Sequence, residues 1–303
     1  EIYRDYRNYK QDFVQMLDDV YKKSQNIMYI GDKENSNTDS ALVSTKRSLI
    51  FNDLNRELYK KFFLTTEEVQ AIRDGYIYIH DMNARRDTMN CCLFDVKSVL
   101  EGGFEMGNIF YNEPKSLDVA FDVIGDIVLS AASQQYGGFT IPQADQILEK
   151  YAQKSFDKYM EKYIALGIGE EKAHEVSMAE VEREMEQGFQ GWEYKFNTVA
   201  SSRGDYPFIT VTIGLGTSVF AKMASKACLK VRSIGQGKPG FKKPVLFPKI
   251  VFLYDENLHG PGKELEDVFE AGIDCSRKTM YPDWLSLTGE GYIASMYKKY
   301  GKV

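Results

Sequence analysis

The sequence is poor in the residues that usually announce a site. Its 303 residues include four cysteines and three histidines. No Cys-x-x-Cys pair occurs, which excludes a zinc ribbon and a thioredoxin-like motif. No second histidine lies near His80, so no metal site is expected. Basic charge is scarce as well, with 38 Lys and Arg against 44 Asp and Glu and a net charge of −6. That balance excludes the basic face of a general nucleic-acid binder. Apolar runs such as Val245 to Leu253 are too short and too interrupted to span a bilayer. No basic n-region with an apolar h-region opens the chain, so a cytoplasmic protein with reduced thiols is expected. The chain begins at Glu1, as expected of a piece of a longer protein.

What remains is a soluble composition, 43% hydrophobic and 27% charged. Residues 3–27 and 40–63 carry apolar residues at helical spacing, separated by a polar, turn-rich loop at 31–39. Thr65 and Glu68 predict a capping box for a helix running to Asp74, with Gly75 closing it. Tyr76 to Ile79 alternate as a strand would. Leu117, Ala120, Phe121, Ile124, Ile127, Val128, Ala131 and Ala132 form a clear helical stripe. A second helix is expected from about Pro142, making an antiparallel pair with the first through a short turn. The acidic segment 167–190 predicts a helix with a solvated face. Phe208 to Ile213 and 245–253 read as strands, and 217–231 and 263–280 as helices. Strands alternating with helices predict an α/β architecture. Gly235-Gln-Gly-Lys-Pro-Gly240 matches a dinucleotide fingerprint literally. It follows a helix and precedes a strand, the wrong order for that function.

Chemistry concentrates between Gly75 and Asp95, where His80, Asp81, Arg85, Arg86, Asp87 and the vicinal Cys91-Cys92 fall together. In an extended segment the two thiols point to opposite faces, so one of them can face a site. Small buried residues would look the same, because a cysteine packs well in a core. Cys228 and Cys275 have apolar neighbours at helical spacing and are expected in the core.

An ordered set of segments resembles the anaerobic (class III) ribonucleoside-triphosphate reductases, a family of glycyl-radical enzymes. It comprises Ile79-His-Asp81, Asn90-Cys-Cys-Leu-Phe-Asp95, Glu101-Gly-Gly-Phe-Glu-Met-Gly-Asn108, Pro114-Lys-Ser116 and Tyr136-Gly-Gly-Phe-Thr140. It continues with Trp192-Glu-Tyr-Lys-Phe-Asn-Thr198, Pro207-Phe-Ile-Thr210, Phe247-Pro-Lys249 and Cys275-Ser-Arg-Lys-Thr-Met-Tyr-Pro-Asp283. The resemblance implies a ten-stranded α/β barrel, present here as a partial barrel. Residues 1–74 would be a helical lead-in. Residues 75–303 would be the first half of the catalytic barrel, with a helix pair at 116–165 for dimer and effector contacts.

The implied reaction converts ribonucleoside triphosphates to deoxyribonucleoside triphosphates by glycyl and thiyl radical chemistry. Asn-Cys in the family's first strand carries onto Asn90-Cys91, which makes Cys91 the expected reducing thiol. His80, Asn90, Asn197, Ser202 and Thr210 are the expected substrate contacts. Lys150, Tyr151, Lys154, Lys158 and Tyr159 are the expected contacts for ATP or deoxynucleotide effectors. The thiyl cysteine, the glycyl radical and a structural zinc would lie beyond Val303, so no cofactor is expected on this stretch. The implied partners are formate or a redoxin as reductant, an S-adenosylmethionine/iron–sulfur activating enzyme and a second copy of the chain. Alternatives are another glycyl-radical enzyme of the formate-lyase kind, or a non-catalytic nucleotide-binding protein.

Overall fold

The computed structural model describes residues 12, 14–22, 42–85 and 89–301. The expected loop at 31–39, residues 3–11, 13 and 23–27 of the segment expected to be helical, and the Arg86-Asp87-Thr88 step lie outside them. The protein packs as two compact units. One comprises Glu1–Cys91, Ser133–Gly137 and Ala200–Pro207, and the other comprises Cys92–Ala132, Gly138–Val199 and Phe208–Val303. No helix among the described residues is long and apolar enough to cross a membrane.

The first unit is helical: α1 covers 14–22, α2 Val43–Phe63 and α3 Thr66–Arg73. The capping box at α3 is made in both directions. Glu68 N donates to Thr65 Oγ1 at 3.2 Å and Thr65 N donates to Glu68 Oε2 at 2.8 Å. Gly75, at φ +80°, closes α3 as a Schellman motif, with Tyr76 N donating to Ala71 O and Gly75 N to Ile72 O. The strand predicted at Tyr76 to Ile79 does not form. Tyr76 and Tyr78 are 86% and 83% exposed and the segment joins no sheet. Alternation alone makes no strand where no neighbour supplies a ladder.

The second unit is built on a five-stranded sheet in the order β1 (Cys92–Leu93), β4 (Phe139–Ile141), β5 (Ile209–Ile213), β6 (Lys249–Tyr254), β7 (Asp283–Ser286). All four pairings are parallel. The connections carry helices α4 (Val96–Leu100), α5 (Leu117–Ser133), α6 (Ala144–Ala165), α7 (Glu170–Thr198), α8 (Val219–Ile234) and α9 (Glu266–Thr279). Helix α10 (Tyr292–Tyr300) follows β7, and a hairpin of β2 (Phe104–Met106) and β3 (Ile109–Tyr111) precedes α5. Ile209, Val211, Thr212 and Ile213 of β5 are all buried, as a parallel strand covered on both faces requires.

Two expectations need correction. Helices α5 and α6 are joined not by a turn but through β4, whose three residues are fewer than a readable alternation. Helix α7 runs on to Thr198, beyond the end of the acidic segment 167–190 expected to form it. Glu170, Glu171, Glu175 and Glu182 face solvent, but Ala173, Val181, Met185, Phe189, Trp192 and Phe196 are buried on its other side, with Glu193 among them. Trp192 Nε1 donates to Phe121 O at 2.9 Å, which ties α7 to α5. Gly188 lies under the Phe121 ring, where a Cβ would collide with it. The segment 101–107 holds β2 and the turn into β3.

A buried ion pair links α7 to α8. Arg232 Nε donates to Glu193 Oε1 at 2.7 Å, and one Nη donates to Pro248 O at 2.6 Å. Gln236 Nε2 takes the other carboxylate oxygen at 2.6 Å. Cys228 and Cys275 are both in this core.

Candidate functional site

Within the first unit, the chain around Asn90 meets the segment 133–137 edge to edge. Tyr136 N donates to Met89 O at 3.0 Å and Gly137 N to Asn90 O at 2.5 Å. Gly137 carries no side chain for a steric reason. A Cβ there would stand 2.6 Å from Cys91 Sγ and would collide with the Asn90 amide oxygen and carbonyl. The side chains of Asn90 and Cys91 therefore lie over a bare α-carbon, and that contact sets where both point.

The segment 200–207 closes the same corner. Arg203 stacks its guanidinium 5.4 Å from the centre of the Tyr136 ring and donates to Gln135 O at 2.7 Å. Asp205 balances it at 3.1 Å and also accepts the Ser201 hydroxyl. Gly204, at φ +86°, lets the turn approach Thr45 of α2, whose hydroxyl donates to Gly204 O at 3.1 Å. Cys91 is exposed and Cys92 is half-buried against the core of the second unit.

His80 is exposed, with Nε2 3.1 Å from Asp81 Oδ2. Asp81, Ala84, Arg85 and Asn90 line a cleft of ≈150 Å³. Such a cleft suits a group of a few atoms rather than a nucleotide, whose pockets usually run from about 300 Å³ upward. Among the expected substrate contacts, Asn90 is at the corner and His80 neighbours it through Asp81. Ser202 is exposed in the 201–204 turn. Thr210 is half-buried on β5, in register with Thr140 and Lys249. The Asn197 amide is already engaged. It donates to Glu193 O and Phe247 O, both at 2.6 Å, and accepts from Phe247 N at 3.1 Å. Among the described residues no three His, Cys, Asp or Glu side chains converge.

The second unit holds a larger cleft, of ≈620 Å³, lined by Lys97, Glu101, Gln146, Lys150, Tyr151 and Lys154 among others. It gathers Lys150, Tyr151 and Lys154 of the expected effector contacts. Tyr151 is only 2% exposed and lies beneath Lys154, whose Nζ is 5.1 Å from its ring centre. A covered ring offers no free stacking face. Tyr159 gives its hydroxyl to Glu184 of α7, and Lys158 is exposed. Glu113, which sequence reasoning passed over, sits between Lys150 and Lys154 at 2.7 and 3.0 Å. Those two ammonium groups hold its carboxyl at about 2, well below its ordinary 4.5. Gly137 was also passed over. The one signal for Gly137 was its place in the Tyr136-Gly-Gly segment.

Comparison with known proteins agrees with the resemblance. The family model described as anaerobic ribonucleoside-triphosphate reductase matches residues 34–300. The enzyme of that name from Enterobacteria phage T4 is 32% identical over 271 residues, 88% of this chain and 43% of that protein. The Haemophilus influenzae enzyme is 34% identical over 84% of this chain and 36% of its own length. The chain thus spans less than half the length of these relatives. Its fold is similar to the anaerobic ribonucleotide reductase of Thermotoga maritima crystallised with dATP and CTP. That structure gives a TM-score of 0.59 at 17% identity, covering 95% of this chain and 52% of that one.

Proposed function

The chain belongs to the anaerobic ribonucleoside-triphosphate reductase family, and from that premise we propose that it supplies the reducing half of a ribonucleotide-reduction site, with Cys91 as the reducing thiol. The observation that carries this reading is the seating of Asn90 and Cys91 on Gly137. Cys91 is exposed there, one residue before the first strand of a parallel sheet. An exposed thiol whose direction is set by close packing can deliver a hydrogen to one face of a sugar. Cys92 packs away from solvent. Asn90 and the cleft beside it, with Arg85 and Asp81, would contact the small polar groups of the substrate.

Parallel strands in sequential order, joined by crossovers of one hand, put their helices on one face and curl towards closure. This supports reading the five strands as half of a ten-stranded barrel. The other half would bring the thiyl cysteine and the glycyl radical, which an activating enzyme would generate, while formate or a redoxin would supply the electrons for ribose reduction. The cleft at Lys150 and Lys154 would take the phosphates of an ATP or deoxynucleotide effector at a homodimer contact.

The test is Cys91→Ser in the intact protein. Deoxynucleotide formation should be lost while the glycyl radical signal still appears by electron paramagnetic resonance. Unaltered turnover would overturn the assignment.

A further inference from the structure

Lys150 and Lys154 are four residues apart on α6 and so project from the same face. Two ammonium groups held side by side repel unless an anion stands between them. Here the anion comes from the chain itself. Glu113 Oε1 accepts from both, and its Oε2 accepts the Gly102 amide at 3.3 Å. Lys154 also donates to Pro114 O at 2.9 Å. Gly102 leads into the β2–β3 hairpin and Glu113 leads out of it, so one carboxylate ties the two legs of the hairpin to each other and to α6. The hairpin tip exposes Ile109 and Phe110.

The charge balance of the cleft depends on this one group. Lys97, Lys150 and Lys154 face Glu101, Glu149 and Glu113, three cations against three carboxylates. A polyphosphate gains no net attraction from such a cleft until a carboxylate leaves it. The carboxyl remains ionised at every physiological pH, so exchange of anions rather than titration is what can remove it.

We propose that Glu113 is a built-in counter-ion that a polyphosphate must displace from Lys150 and Lys154, and that its departure frees the base of the β2–β3 hairpin. Ligand entry and hairpin position are then one event. The proposal rests on the reading of this cleft as a phosphate-binding site given above, and it adds how occupancy is sensed.

The test uses the intact protein, with inorganic tripolyphosphate and dATP as probes in calorimetric titrations. Glu113→Gln removes the charge and keeps an acceptor for Gly102, whereas Glu113→Ala removes both. Both variants should bind tripolyphosphate about two- to fivefold more tightly, the range expected for a partly exposed pair. Hydrogen exchange across 102–111 should rise when ligand binds the parent protein. In Glu113→Ala it should already be raised without ligand. If dATP binds, weakens in Lys150→Ala, and is indifferent to Glu113→Gln and Glu113→Ala, the counter-ion proposal falls and the cleft reading stands. Hairpin exchange that ligand leaves unchanged also overturns the proposal. If neither probe binds the parent or either Glu113 variant, the cleft reading falls and the proposal falls with it.

Discussion

Two places in this molecule are assembled from nearly the same parts and behave oppositely. At one, Arg203 stacks 5.4 Å from the Tyr136 ring, pairs with Asp205 at 3.1 Å and neighbours the corner that carries Cys91. At the other, Arg232 stacks 5.2 Å from the Tyr281 ring, pairs with Glu193 at 2.7 Å and lies one helical turn from Cys228. The difference is water. The side chains of Arg203 and Asp205 are 26% and 21% exposed, against 0% and 4% for Arg232 and Glu193. Burial pushes the Cys228 thiol far above its ordinary range, so it stays protonated and inert. The same residue types thus make an accessible corner in one place and a structural pin in the other.

The largest expected contrast is in thiol labelling. An alkylating reagent should modify Cys91 in the native protein, whereas Cys228 and Cys275 wait for unfolding. With domain stabilities of about 5–15 kcal/mol, the rates should differ by more than about 10³-fold. Mass spectrometry of quenched time points measures this. Comparable rates at Cys91 and Cys228 would erase the distinction between the two places.

Next comes removal of each arginine, followed by urea unfolding. Arg232→Ala strands the buried Glu193 carboxylate and should cost about 3–5 kcal/mol. Arg203→Ala leaves Asp205 in reach of water and should cost about 1 kcal/mol. Equal losses would mean that solvent does not divide the two pairs.

Two glycines sharpen the comparison further. Gly188→Ala forces a methyl into the Phe121 ring and should cost about 1–3 kcal/mol of stability. Gly137→Ala should displace Asn90 and Cys91 instead. In the intact protein, deoxynucleotide formation would then fall by more than about tenfold, with a smaller stability loss than at Gly188. Full turnover in Gly137→Ala would separate that contact from function.

The smallest effect is electrostatic. Glu113 has its carboxyl lowered from 4.5 to about 2, so its contribution to stability is present above pH 4.5. It should fade as the pH falls from there towards 2. Because the pair is partly exposed, the loss should stay under about 1 kcal/mol, read as the difference between parent and Glu113→Gln acid unfolding curves.

Much of the helical framework was legible in the sequence because helices are local. Thr65, Glu68 and Gly75 state the ends of α3 within ten residues, and the stripe from Leu117 to Ala132 is the buried face of α5. The two helical cysteines read as core for the same reason. Short strands were not legible. β1, β4 and β7 have two, three and four residues, about one or two pleats each, and only their neighbours make them strands. Tyr76 to Ile79 shows the converse, a good alternation with no partner. At the site, Asn90-Cys91 could be read from its motif. Gly137 could not, because it reaches the corner from a distant part of the chain.

By itself, then, the sequence determined the family, the helices with their caps, and which thiols are core. Those properties lie within a few turns of chain or in the order of short motifs. Tertiary structure alone decided that Arg232 is dry and Arg203 wet, that the Tyr151 ring is covered, and that Glu113 stands between two lysines. Burial and charge pairing depend on what distant segments bring alongside, and no local pattern records that.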